Sequence, residues 1–252
     1  MRVSDYYAIY LENFSKCIII YDMKNKFFNY IIVLFAIFGV ALGVMFYING
    51  NCDVLFSPAL FSDYYNDKIE LFKQENQTAS DVEVAFVGDS ITDLYDVKSY
   101  YSELNVLNRG IGGDTTYGVE NRLEVSLYAV KPKVVVMMIG VNNRTTCCRN
   151  YERLLVKIKN NLQDSKIVIL SLIPTGGSIK SWNMQLQRNN VIIKDIATRH
   201  DCVYVDMYSV FYDSAIAEIN PNYTDDGLHP NADGYVVMTN VLKPRLKEML
   251  NK

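Results

Sequence analysis

The chain has 252 residues, of which 50% are hydrophobic and 21% charged, and its formal net charge is −3. A disordered chain would be richer in charge and poorer in aromatic residues, so this composition indicates a folded protein. The small negative charge argues against a nucleic-acid partner, which usually requires a basic surface. Five cysteines are too few for a disulfide scaffold. The mean hydropathy of +0.01 is high for a soluble enzyme, as expected either for a uniformly apolar protein or for a soluble domain with one membrane segment.

An uncharged apolar run near the N-terminus predicts a membrane anchor. Residues 27–47 read FFNYIIVLFAIFGVALGVMFY, and at about 1.5 Å per residue such a helix spans the roughly 30 Å hydrocarbon core of a bilayer. We therefore predict a transmembrane signal anchor over 27–48. A cleaved signal peptide is the competing interpretation, but the 26 residues before the run are too many for its charged region, and no clear cleavage site follows.

Charge on either side of this run predicts its orientation. Four basic residues precede it, and the next one, Lys68, comes well after it. The positive-inside rule then keeps 1–26 in the cytoplasm and exports a stalk or adaptor over 49–80 and a folded domain over 81–252. The expected location is the cell membrane, with a single span. The spacing of Gly39 and Gly43 allows a homodimer through this helix, although glycine is common in membrane helices.

From residue 83 onward, short apolar runs alternate with segments of helical periodicity. The runs cover 83–88, 104–108, 133–140, 166–174 and 202–206, and the helical segments cover 118–130, 151–162, 183–200 and 232–250. This alternation predicts an α/β fold with a doubly wound, flavodoxin-like, five-stranded parallel sheet. Pro244 is expected to kink or end the last helix. Ligands of such sheets bind at the carboxyl ends of the strands.

Polar motifs stand where these strands are predicted to end. They are Gly-Asp-Ser at 88–90, NRGIGGDTT at 108–116 and GVNN at 140–143, and a further motif, DDGLHP at 225–230, lies near the C-terminus. Taken singly, each has an ordinary explanation as a helix cap or a turn. The glycines at 110–113 do not match a dinucleotide-binding motif, and a loop that presents N–H donors to an oxyanion is at least as plausible. An Asp three residues before a His can fix the imidazole so that its other nitrogen takes a proton from a serine.

Together and in this order, the motifs resemble those of the SGNH hydrolases, also called the GDSL esterase/lipase family. The resemblance covers about residues 83–250 and is strongest to the branch with the catalytic subunits of the intracellular platelet-activating-factor acetylhydrolases. It implies that Ser90 is the nucleophile, His229 the general base and Asp226 the residue that orients His229.

The same resemblance implies an oxyanion hole made of the Ser90 N–H, the Gly113 N–H and the Asn142 side chain. Two positions depart from the family pattern. Ile91 stands where the family's name motif has Leu, and Asn143 stands where many members have Asp. Neither change removes a catalytic atom.

The function expected from this resemblance is a membrane-anchored, exported serine esterase that hydrolyses small acyl esters, acetyl above all, of a carbohydrate or a lipid through an acyl-serine. No cofactor is expected. No metal is expected either, because the two histidines, His200 and His229, are far apart and no ligand-spaced cluster is present. His200 is expected at a helix end instead. Two alternatives stay open: an O-acyltransferase on envelope polysaccharide with the same triad, and a non-catalytic binding module of the same fold.

Overall fold

The computed structural model describes residues 38–40 and 62–251. The chain divides into two compact units, Met1–Cys52 and Asp53–Lys252. In the first unit, residues 38–40 are helical; the rest of the predicted anchor (27–48) and the predicted cytoplasmic segment (1–26) lie outside the described residues. None of the helices within the described ranges combines the length and the apolar character that crossing a bilayer requires.

The second unit is built on a parallel sheet of five strands, as predicted. The strands are β1 (Val84–Gly88), β2 (Val106–Gly110), β3 (Val134–Met138), β4 (Lys166–Leu170) and β5 (Val203–Val205). Their order in the sheet is β2-β1-β3-β4-β5, and all four pairings are parallel. This is the flavodoxin-like order, in which the direction of winding changes between β1 and β3.

The strands are continuous apolar runs because helices flank the sheet. Every residue of β1 and of β3 is buried, as expected for a parallel sheet with covered faces. The helices are α1 (Asp63–Asn76), α2 (Ser90–Asp93), α3 (Val97–Tyr100), α4 (Thr116–Asn121), α5 (Tyr151–Asn161), α6 (Asn183–Arg199), α7 (Met207–Phe211) and α8 (Ala232–Met249). A small antiparallel pair, β6 (Tyr212–Asp213) and β7 (Glu218–Ile219), follows α7.

Helix α1 lies within the segment predicted to be a stalk or adaptor. Ser62 caps it, because its side chain accepts the Tyr65 N–H at 3.1 Å. Tyr65 and Phe72 are buried and form a small cluster with Ile111, which follows β2. This part of the predicted stalk is therefore packed on the domain that carries the sheet.

The structure shows where two of the predicted helices are continuous. Helix α8 runs through Pro244 without ending there, since the flanking Leu242 and Leu246 are both fully buried and hold both halves against the core. The segment predicted as one helix over 118–130 is instead α4 followed by a short π-helical stretch, Glu124–Tyr128. The break falls at Arg122, whose side chain turns into the protein interior.

Candidate active site

A serine, a histidine and an aspartate from distant parts of the sequence form one hydrogen-bonded chain. The Nε2 atom of His229 lies 2.9 Å from the Oγ of Ser90. The Nδ1 atom of the same ring lies 2.6 Å from Oδ2 of Asp226. Ser90 opens α2 directly after β1, and the other two residues lie in the loop before α8. This geometry lets the imidazole take the proton of the serine hydroxyl while the carboxylate holds the ring.

The loop around Asp226 is organised by that carboxylate. Its Oδ1 accepts the N–H groups of Leu228 and His229, both at 2.8 Å. Partial burial raises the pKa of Asp226, but the bonds from the His229 ring and from these two amides outweigh it and hold the pKa at about 2. The group is therefore a carboxylate at neutral pH, as an acceptor of the imidazole N–H must be.

The residue before the serine caps the short helix. The Asp89 side chain accepts the Ile91 N–H at 3.1 Å, while the Ser90 hydroxyl faces His229. A helix cap and a reactive hydroxyl are alternative explanations of the Gly-Asp-Ser motif. Both are present, because Asp89 caps the helix and Ser90 places its hydroxyl next to His229.

The predicted oxyanion donors lie on the loops that follow β1, β2 and β3. Gly113 adopts a φ of +76°, in the region that favours glycine. Within the described residues, neither its amide nor that of Ser90 donates a hydrogen bond to another protein group. Both N–H groups are thus available to a ligand.

Two adjacent asparagines tie the loop after β3 to the loop after β2. The Asn142 Nδ2 donates to the Asp114 carbonyl at 2.8 Å, and an amide nitrogen carries a second proton that stays available. The Asn143 Oδ1 accepts the Thr116 N–H at 2.8 Å. An Asp carboxylate would accept the same N–H, so Asn143 can make the contact to Thr116 that an Asp at this position would make.

A buried ion pair lies beneath the same loop. The Arg122 Nε donates to Asp114 Oδ2 at 2.8 Å, and both side chains are at most 1% exposed. Arg122 also donates to the carbonyls of Gly88 and Arg109, at the ends of β1 and β2. Burial raises the pKa of Asp114, and the guanidinium of Arg122 opposes that shift. This pair is not evident from the sequence, because a charged residue in a helical segment is usually exposed.

The other histidine has a different role. His200 follows α6 directly, as predicted, and its Nε2 lies 2.8 Å from Oε1 of Glu152. Among residues 62–251, no three His, Cys, Asp or Glu side chains are grouped so that they could hold a metal ion.

Asp89 is expected to make the stability of the fold depend on pH. Burial raises the pKa of Asp89 to about 7, although the Ile91 and Gly140 N–H groups favour its charged form. A carboxyl with a raised folded-state pKa stabilises the fold fully below its unfolded pKa, near 4, and this contribution is lost as the pH rises through 7. Between pH 5 and pH 8, the free energy of unfolding is expected to fall less in Asp89→Asn, which stays neutral, than in the wild type, and the difference is expected to be a few kcal/mol.

Denaturant titrations at both pH values measure this difference. Asp164→Asn is the control, because Asp164 lies on an exposed turn. Equal pH slopes for Asp89→Asn and the wild type would contradict the assignment.

Comparison with known proteins agrees with the motifs. The model of the GDSL-like lipase/acylhydrolase family matches residues 86–237, which is more than half of the chain and includes every predicted site residue.

Relatives of known name lie in the branch suggested by the motifs. The chain is 34% identical over 121 residues to the platelet-activating factor acetylhydrolase IB subunit alpha2 of Homo sapiens, covering 44% of this chain and 53% of the relative. It is 37% identical over 103 residues to subunit alpha1 of Mus musculus, covering 37% and 44%. The chain thus spans about half the length of the curated relatives it matches.

Solved structures share the fold. A GDSL-like lipase from Bacteroides thetaiotaomicron superposes with a TM-score of 0.65 at 23% identity, covering 71% of this chain and 97% of the other. A variant of the acetylxylan esterase from Geobacillus stearothermophilus superposes with a TM-score of 0.55 at 20% identity, covering 67% and 95%. The extent of the family match decides the classification: the chain belongs to the GDSL-like lipase/acylhydrolase family.

Proposed function

We propose that this protein is a serine esterase that hydrolyses small acyl esters through an acyl-serine intermediate. The observation that carries the proposal is the continuous chain from Ser90 Oγ through the His229 ring to Asp226. It supplies a nucleophile, a base and a group that orients the base, within hydrogen-bond reach of one another.

The proposed reaction proceeds in two steps. His229 takes the Ser90 proton as Oγ attacks the ester carbonyl, and the protonated ring then gives that proton to the leaving alcohol, which leaves an acyl-serine. Water next attacks the acyl carbon, with His229 as its base, and releases the acid and the free serine. The N–H groups of Ser90 and Gly113 and the amide of Asn142 stabilise the negative charge on the carbonyl oxygen in both steps.

Acetyl esters of a carbohydrate or a lipid are the proposed substrates. The curated relatives carry the name acetylhydrolase, and one structural neighbour is an acetylxylan esterase. Membrane anchoring through 27–48 and export of the domain belong to the same proposal. They rest on the uncharged run and on the basic residues before it. Cleavage of the domain by protease added to intact cells would test this part, and full protection would overturn it.

The test of the activity is an acyl-chain panel on the full-length protein in detergent. We expect hydrolysis of p-nitrophenyl acetate to fall steeply beyond about four acyl carbons, and Ser90→Ala to abolish it. Ser99→Ala is the matched control, since Ser99 is an exposed serine in the short helix α3 and its loss is expected to leave the rate unchanged. A preference for long chains would replace the acetylesterase by a lipase. Acetyl transfer to a polysaccharide without hydrolysis would replace it by an acyltransferase.

A further inference from the structure

The loop that carries Gly113 is fastened to a helix that lies outside the family-matched region. Asp93, the last residue of α2, accepts the Gly112 N–H on its Oδ2 at 2.9 Å. The same oxygen accepts the Tyr64 hydroxyl, and Oδ1 lies 2.7 Å from the Lys68 Nζ. Tyr64 and Lys68 belong to α1, which ends before the family match begins at residue 86.

Asp93 is well shielded from water at this junction. Its side chain is 8% exposed and that of Lys68 is 19% exposed. A Cβ on Gly112 would lie 3.4 Å from the Tyr64 ring and 3.6 Å from Asp93 Oδ2, in ordinary van der Waals contact, so both side chains lie against the loop at this residue. Burial and the bond with Asp93 raise the pKa of Tyr64 to about 12, so the phenol stays protonated and donates at neutral pH.

Other contacts fix α1 in place against the same loop. The Tyr65 hydroxyl donates to the Gly118 carbonyl at 3.1 Å, and Tyr65 and Phe72 bury Ile111, which directly precedes Gly112. The helix thus contacts the loop in two ways, by packing on Ile111 and through the Asp93 carboxylate that accepts the Gly112 N–H.

We propose that Lys68 and Tyr64 position the oxyanion loop through Asp93, so that α1 is a working part of the active site rather than a spacer. The inference rests on the proposed function, because it assigns a role to the Gly113 donor. Asp93 and Lys68 are positioning residues in this proposal, since they act on the loop and do not touch the substrate.

Two physical effects make Lys68 matter for the reaction. An oxyanion donor is effective only within about 2.7–3.1 Å of the developing charge, so a small displacement of the Gly112–Gly113 peptide weakens it. In addition, Lys68 neutralises the Asp93 carboxylate, and an unpaired negative charge beside the loop would oppose the oxyanion. Both effects act on the transition state more than on the bound ester.

The experiment compares Lys68→Met with Lys73→Met in the full-length chain. Lys73 lies on the same helix and pairs only with the exposed Glu70 among the described residues. We expect Lys68→Met to lower kcat about tenfold, a fraction of the 10²–10³ typical for complete removal of a donor, with little change in KM. Lys68→Arg should restore most of the rate, and Tyr64→Phe should show a smaller loss. Lys73→Met should match the wild type.

Active-site titration separates positioning from a loss of folded protein. The end point of Ser90 labelling by a fluorophosphonate counts competent sites, and kcat is expressed per titrated site. A purely structural role of Lys68 would lower the number of sites and leave kcat per site unchanged, which would overturn the proposal. Equal kcat in Lys68→Met and Lys73→Met would overturn it as well. Failure of the proposed function is distinct, because the wild type itself would then lack Ser90-dependent ester hydrolysis.

Discussion

Replacing His229 by Ala is expected to lower kcat for p-nitrophenyl acetate by about 10⁴–10⁶, and the double variant Ser90→Ala/His229→Ala is expected to be no slower than either single variant. The reason is that the two groups act as one unit. A serine hydroxyl is a weak nucleophile unless a base takes its proton, and the imidazole has no role once the hydroxyl is gone. The 2.9 Å contact between Oγ and Nε2 is the structural basis of this coupling.

Asp226→Asn is expected to lower kcat by roughly 10⁴, as the loss of the orienting aspartate does in other catalytic triads. The amide would present an N–H to Nδ1 and turn the proton onto Nε2, which could then no longer accept from Ser90. His200→Ala is the matched control for both histidine-dependent predictions. His200 pairs with Glu152, so its replacement should leave kcat unchanged.

Free imidazole should restore part of the rate of His229→Ala. If the losses of the two single variants multiplied in Ser90→Ala/His229→Ala, a shared role of the two residues would be contradicted.

The residues at the strand ends could be predicted from the sequence because topology alone brings them together. Parallel strands place their carboxyl ends on one edge of the sheet, so motifs that follow β1, β2 and β3 must meet there. His229 does not follow one of these strands, and its pairing with Ser90, 139 positions away, is expected from the spacing of Asp226 and His229 and from the family resemblance. The flavodoxin-like sheet is predicted by the alternation of strands and helices, whereas the family is indicated by the resemblance of the motifs.

Helix α1 is an element whose role is not evident from the sequence. Its sequence is mostly polar and runs into the segment QENQTASD at 74–81, so the sequence predicts a stalk or adaptor there. Its buried face consists of Tyr65, Phe72 and the partly buried Ile69, a stripe too short to stand out from a polar background. The positioning role of Asp93 was equally hidden, because an aspartate three residues after Ser90 carries no signal until α1 is placed beside it.

The burial of two arginine side chains is the second feature that is not evident from the sequence. Arg109 and Arg122 lie in or near apolar segments and are almost fully buried, although arginine is normally exposed. Arg109 is paired with Glu75 of α1 and packs on the Phe72 ring at 4.7 Å. Such pairs depend on partners far away in the sequence, which periodicity cannot reveal.

The Arg122–Asp114 pair leads to the largest expected change in stability. Arg122→Met is expected to lower the free energy of unfolding by about 3–5 kcal/mol, because it leaves an uncompensated carboxylate in the interior. Equilibrium urea unfolding measures it. Arg199→Met removes a partly exposed arginine from its pairs with Glu152 and Asp195, and it is expected to cost at most about 1 kcal/mol.

The pH dependence of this loss identifies its cause. Burial raises the pKa of Asp114, and removal of the guanidinium that opposes the shift raises it further. A carboxyl with a raised folded-state pKa stabilises the fold at low pH and loses that contribution as the pH rises through the folded-state value. The deficit of Arg122→Met should therefore be smaller at pH 5 than at pH 8, and Arg122→Met/Asp114→Asn should recover part of it at pH 8. A deficit independent of pH would mean that Arg122 acts by packing alone. Because the Asp114 carbonyl holds the Asn142 amide, the same variant should lose esterase activity even where it remains folded.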